Sequence, residues 1–337
     1  MILVRPRTAL VSALTLALSG AGATAAAPPE PEGVVVVDGA RFQDFHSRVT
    51  DRDYRLFISV PDVPAPKRGF PVVYVLDGNS HFQTAVSVAR AQSLFGEIRP
   101  AIVVGVGYPL SRFDEILRTR NRDLTTPITA EALARMPPNP GLTPENTGGL
   151  DAFLEMIETE VKPRVFRLAA VDTSDETLFG HSLGGLAVVR ALMTRTDSYR
   201  TFVSASPSLF WNDRAILADE ASLAGRIRAG RVAPRVLLMA GALEGSSEGY
   251  RTGGVPMTQA QVDGLIGVTR MTANPAELGL RLAEMKGGPG YRVETVIFPD
   301  ESHLSVIPAA ISRAFNFALS VDGDGPPARA PAGTPNP

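Results

Sequence analysis

The sequence predicts an α/β fold, with a mostly parallel central sheet carrying helices on both faces. Three observations predict it. Apolar, β-branched runs recur between turn residues, amphipathic helical patterns lie between them, and one such run leads straight into a glycine-flanked serine and a small-residue-rich helix. Alternation of this kind makes right-handed crossovers that cover both sides of a sheet.

The strand signals come first. Residues 54–60 (YRLFISV) alternate and stop at Pro61, the pattern of a strand at a sheet edge. Residues 71–76 (PVVYVL) and 101–106 (AIVVGV) are continuous apolar runs, suited to central strands buried on both faces. Residues 177–179 (TLF) run into Gly180, and 201–206, 235–240 and 293–298 complete the series. Between them, residues 151–166 place Phe153, Leu154, Ile157, Val161 and Val165 on one face, with Asp151 placed as N-cap. Residues 183–194, 258–285 and 305–319 also read as helices. The stretch 110–149, rich in Pro and Arg, breaks the rhythm. It reads as an insertion over the active-site edge, the C-terminal edge of the sheet, where open α/β folds bind ligands.

The chain has 337 residues. Arg5 and Arg7, an apolar stretch from Ala9 to Leu18 and small residues around Ala23–Ala27 have the anatomy of a signal peptide over residues 1–27. Export to the periplasm or the medium is therefore expected. A single α/β domain is expected over 34–321, and the Pro/Gly/Ala-rich residues 322–337 read as a disordered tail. No later segment is apolar enough to predict a membrane span in the mature chain. There are no cysteines, so no disulfides; a mature chain of roughly 300 residues can instead rely on its core. A net charge of −2 advertises no basic face for nucleic acid. With no HExxH and four scattered histidines, the chain has a poor ligand set for a metalloenzyme.

Gly180-His181-Ser182-Leu183-Gly184-Gly185 fits G-x-S-x-G between strand and helix. This is the nucleophile elbow of an α/β-hydrolase fold, a strained turn that presents Ser182. A serine hydroxyl needs a base to become nucleophilic. Of the four histidines, His46 lies far from the switch point, His81 comes early in chain order and His181 points away from its neighbour in an elbow. His303, just past the last strand, stands where this fold puts its base. The acid should follow the strand before last, and Glu244 does. Glu248 and Asp213 are rivals, and Asp300 is a poorer one, too close to His303 in sequence for easy geometry. For the oxyanion hole the backbone N–H of Leu183 is expected first. A second donor should come from the loop after Leu76, from Asn79 or, second, Gly78.

These residues resemble a known family. Residues 75–79 (VLDGN), 105–109 (GVGYP), 122–125 (RDLT), 180–185 (GHSLGG) and 204–211 (SASPSLFW), with the Glu244 and His303 loops, are similar to the putative esterases. That group includes ferric-enterobactin (siderophore) esterases and is related to esterase D. The resemblance runs from about Val34 to Leu319. It implies hydrolysis of a small-molecule carboxylic ester without a metal or other cofactor, by Ser182, His303 and Glu244. It also places the 122–125 segment and Trp211 near the cleft. Arg120 and Arg122, with Arg112 and Arg118, are candidates for an anionic siderophore ligand, and Trp211 for an aromatic acyl group or for packing. Two further functions fit the same scaffold: acyl transfer to an alcohol, and non-catalytic ligand binding.

Overall fold

The computed structural model describes Val37 and residues 39–137, 141–247 and 257–321. The expected signal peptide and tail lie outside the described residues. Eight strands form one sheet: β1 (Ala40–Ser47), β2 (Arg52–Ser59), β3 (Phe70–Leu76), β4 (Ile102–Gly107), β5 (Val171–His181), β6 (Thr201–Ala205), β7 (Arg235–Gly241) and β8 (Arg292–Phe298). Their order is β1-β2-β4-β3-β5-β6-β7-β8. Pairs β1·β2 and β2·β4 are antiparallel, and the remaining pairs are parallel. The expected mostly parallel α/β sheet is the one observed.

Pleating explains the two-sided core. On β3, Val72, Tyr74 and Leu76 join one apolar cluster, while Val73 and Val75 join the other. The second cluster is closed by α1 (Gly78–Leu94) and α10 (Val306–Leu319). The first is closed mainly by α4 (Leu150–Met156), α5 (Lys162–Phe166), α6 (Leu183–Thr194), α7 (Glu220–Arg228) and α9 (Ala273–Ala283). The remaining helices are α2 (Phe113–Asp123), α3 (Ala130–Ala134) and α8 (Gln259–Thr269). After β3 the chain builds β4 on one side, then returns to place β5 on the other. That reversal opens a crevice at the C-terminal ends of β3 and β5. Asp77 follows β3 there, and Ser182 follows β5.

Several expectations are corrected. Strand β2 is not an edge; β1 covers it in an eight-residue antiparallel register. Residues 77–82 are not a loop, because α1 begins at Gly78. The stretch read as one helix over 258–285 is two, broken where Arg270 turns left-handed at the end of α8. Gly149, not Asp151, is the N-cap of α4; Asp151 lies in the first turn and grips Arg190 at 2.8 and 3.0 Å. A π-helical turn over Ile157–Val161 joins α4 to α5.

The stretch 110–149 contains α2 and α3, and α2 is anchored by a buried carboxylate at its end. Asp123 is 2% exposed and accepts a hydrogen bond from the Tyr54 hydroxyl at 2.9 Å. Burial pushes its pKa up to about 6, against the stabilising hydrogen bonds from Tyr54 and Tyr108 and the charge of Arg52. A raised carboxyl pKa means that the folded chain keeps a proton the unfolded chain has already released. Stability is therefore lost as pH rises from about 4 through 6, and the penalty persists above that. Asp123→Asn removes the penalty, since an amide oxygen still accepts from Tyr54. Relative to wild type, the variant should gain up to about 3 kcal/mol between pH 4 and pH 7 in denaturant titrations. A difference that does not change with pH would refute the assignment.

Candidate active site

The elbow is built by close approach. Strand β5 ends at His181, α6 begins at Leu183, and Ser182 sits between them at φ 61°, ψ −117°. Such a conformation is costly for any residue with a Cβ, and it persists because the surroundings fix it. The Ser182 N–H donates to the Ala205 carbonyl at 3.0 Å, and the Ser182 carbonyl accepts from the N–H groups of Leu186 and Ser208. Gly180 is required: a Cβ there would stand 2.2 Å from the Gly184 carbonyl oxygen.

The other two expected groups meet the serine. His303 Nε2 lies 3.0 Å from Ser182 Oγ, and its Nδ1 lies 2.7 Å from Glu244 Oε2. A carboxylate can only accept, so Nδ1 carries the proton and Nε2 is free to accept from the serine hydroxyl. Glu244 is 5% exposed, and its second oxygen accepts from the Gly241 N–H at 2.7 Å and the Ser206 hydroxyl at 2.6 Å. Backbone contacts bring the two loops together. The Leu243 N–H donates to the Glu301 carbonyl at 3.0 Å, and a Cβ on Gly241 would collide with that same oxygen at 2.2 Å.

His181 has a distinct place. Its Nε2–H donates to the His303 carbonyl at 2.7 Å, and the two rings stand 4.6 Å apart. Burial drives its pKa well below the ordinary histidine value, and the charges of His303, His81 and Arg120 add to that. The ring therefore stays neutral and ties down the segment that carries His303. His81 stacks edge-on against it at 6.0 Å, and burial lowers its pKa as well.

Around the expected oxyanion loop, Asp77 adopts a left-handed conformation at φ 56° and starts α1. The Asn79 side chain is committed to the end of β4: its Oδ1 accepts from the Tyr108 N–H at 2.8 Å and its Nδ2 donates to the Tyr108 carbonyl at 2.9 Å. Gly78 packs so closely on Gly105 that a Cβ would lie 2.7 Å from its carbonyl carbon. Both residues, like Leu183, occupy the first turn of a helix, where N–H groups lack intrahelical partners. Arg120, expected to face ligand, instead forms a bidentate pair with Asp77 at 2.6 and 3.0 Å and donates to the His181 carbonyl at 3.3 Å. It therefore clamps the β3 turn to the elbow, with its side chain only 16% exposed.

Of the two readings of Trp211, packing is the one observed. Trp211 is 1% exposed and sits in the core, with its indole N–H shared between the Thr126 carbonyl and hydroxyl. Arg122 donates to the Glu145 carbonyl, binding the 110–149 stretch to itself. Of the rival acids, Asp213 pairs with Arg135 rather than with His303, and Glu248 lies outside the described residues. The sequence reading missed Asp77, Ser206 and Ser208, whose hydroxyl lies 3.5 Å from that of Ser182. Asp77 and Ser206 stand immediately after β3 and β6, as Ser182 stands after β5, and that position was the available signal.

Comparison with known proteins identifies the family. The profile of the putative esterases matches residues 47–249. The ferri-bacillibactin esterase BesA of Bacillus subtilis is 35% identical over 290 residues, covering 85% of this chain and 92% of its own. The siderophore enterobactin esterase of Emericella nidulans is 31% identical over 254 residues, 73% of this chain and 80% of its own. The crystal structure of the BES protein from Bacillus cereus superposes with a TM-score of 0.70 at 28% identity, over 86% of this chain and all of that one. The chain therefore belongs to the putative esterase family and is a carboxylic-ester hydrolase built on the α/β-hydrolase fold.

Proposed function

We propose that the chain hydrolyses ester bonds of a siderophore through a Ser182-His303-Glu244 triad and an acyl-enzyme, after export through its N-terminal signal. The observation that carries the mechanism is the unbroken hydrogen-bond line from Ser182 Oγ through both ring nitrogens of His303 to Glu244. The substrate class rests on the relatives, which are named for ferri-bacillibactin and enterobactin.

In the first half-reaction the Ser182 oxygen attacks the ester carbonyl while its proton passes to His303 Nε2. Glu244 stabilises the resulting imidazolium. The N–H groups of Leu183 and of Asn79 or Gly78 receive the developing oxyanion, and the guanidinium of Arg120 adds positive charge to the same edge of the elbow. His303 then returns the proton to the leaving alcohol. In the second half-reaction water, deprotonated by His303, releases the acid and restores Ser182.

The test is fluorophosphonate labelling with peptide mapping, followed by turnover of a 4-nitrophenyl ester and of a ferric triscatecholate siderophore. One adduct on Ser182 with turnover of both substrates is the expected result. An adduct and turnover of the simple ester alone would refute the siderophore assignment; an unlabelled Ser182 in folded protein would refute the triad. Export predicts an exported form whose N-terminus lies near Pro28.

A further inference from the structure

A cavity of about 260 Å³ has walls that include Arg135, Met136, Phe210, Asp213, Arg214 and Arg270. Two of its walls are continuous with the catalytic loops. On one side the Ser208 N–H donates to the Ser182 carbonyl at 3.2 Å, and Phe210, two residues on, already lines the cavity. On the other side Thr272, two residues after Arg270, donates through its hydroxyl to the Gly241 carbonyl at 3.0 Å. Gly241 in turn holds Glu244 through its N–H. Both walls thus belong to segments bonded to the residues that carry the nucleophile and hold the acid.

Its charge is unbalanced. Arg135 is held by Asp213 at 2.6 Å, and Arg270 is paired with Glu277. Among the described residues, Arg214 pairs with that same Glu277 at 4.0 Å, the outer limit of an ion pair. Among the described residues, three guanidinium groups thus share two carboxylates, and Arg214 is the least closely paired of the three. Its placement is enforced by the backbone: Asn212, Asp213 and Arg214 are all left-handed, at φ 47°, 52° and 63°, and Arg270 opposite them is left-handed at 45°. Consecutive left-handed residues other than glycine are held only where surrounding structure over-determines them. Phe210 and Met136 supply apolar walls for a flat group whose charged end meets the arginines.

We propose that this cavity is a subsite for a carboxylate-bearing aromatic portion of the ester, with Arg214 as the cation that binds it. The inference rests on the esterase reading above, because a subsite requires turnover at Ser182. It is tested with two 4-nitrophenyl esters of matched shape, one of 4-carboxybenzoate and one of 4-methylbenzoate. The readout is the ratio of their kcat/KM values. In wild type the ratio should favour the anionic ester by on the order of tenfold at low salt and shrink as salt is raised. Arg214→Met should bring the ratio close to one, through KM for the anionic ester, and Arg214→Lys should restore part of it. Arg167→Met, at the exposed end of α5, should leave the ratio at the wild-type value. A wild-type ratio near one, or a ratio unchanged by Arg214→Met, overturns the subsite. A fall in Arg167→Met equal to that in Arg214→Met also overturns it, since general charge would then explain the preference. Absence of turnover with both esters overturns instead the esterase reading on which the subsite depends.

Discussion

Replacing Ser182 by alanine should lower kcat by on the order of 10⁴- to 10⁶-fold while leaving the melting temperature almost unchanged. The chemistry loses its nucleophile, so the His303–Glu244 pair has nothing to activate. The fold loses only a hydroxyl at the surface of the crevice, because alanine keeps the Cβ and occupies the same conformation. Glycine at this position makes a sharper test. At φ 61° and ψ −117° a Cβ is strained, and Ser182→Gly relieves that strain. It should be as inactive as the alanine variant yet more stable, by about 1 kcal/mol. An alanine variant with more than about one hundredth of wild-type activity would mean that another group attacks the ester. The nearest hydroxyl is that of Ser208. A glycine variant no more stable than alanine would mean that the elbow is not under strain.

Much of this site was legible because its chemistry restricts residue type and chain order. Ser182 announced itself by the two glycines that let the elbow form, and His303 by the scarcity of histidine and its place after the last strand. Strand order pointed to Glu244 but left Glu248 and Asp213 as rivals. The sheet was legible because β3, β4, β6 and β7 are buried along their whole length, and β3 and β4 read as continuous apolar runs. Strand β1 was not legible. It buries only Phe45 and Ser47, and its remaining residues carry an edge strand's polar pattern. The start of α1 was hidden because Asp-Gly-Asn-Ser is turn chemistry locally, and only packing of Gly78 on β4 makes it helical. The roles of Trp211, Arg120 and His181 depend on partners distant in sequence: Thr126, Asp77 and the His303 carbonyl. No local pattern encodes such pairings. An arginine that reads as a ligand contact can therefore turn out to be a clamp, and an indole that suits stacking or packing is decided by a partner 85 residues away.

The hydrogen-bond pattern around Glu244 gives the second large prediction, because three donors converge on one carboxylate. Oε1 accepts from the Gly241 N–H and the Ser206 hydroxyl, and Oε2 accepts from His303 Nδ1–H. An amide at this position has only one oxygen. The Gly241 N–H is fixed by the backbone and cannot turn away, so in Glu244→Gln the oxygen stays on that side and the NH₂ faces His303. The ring must then accept at Nδ1 and carry its proton on Nε2, where it points at Ser182 and cannot take the serine's proton. The expected loss is on the order of 10⁴-fold in kcat, arising from the wrong tautomer rather than from a displaced ring. Fold and KM for a 4-nitrophenyl ester should change little, whereas the rate of fluorophosphonate labelling should fall with kcat. Ser206→Ala separates orientation from charge: it keeps the carboxylate and removes one of its two anchors, so its loss should be far smaller than that of the amide. If Glu244→Gln retained activity within tenfold of wild type, the carboxylate would not be setting the tautomer, and His303 would have to work with Ser182 as a dyad held in place by the His181 contact to its carbonyl.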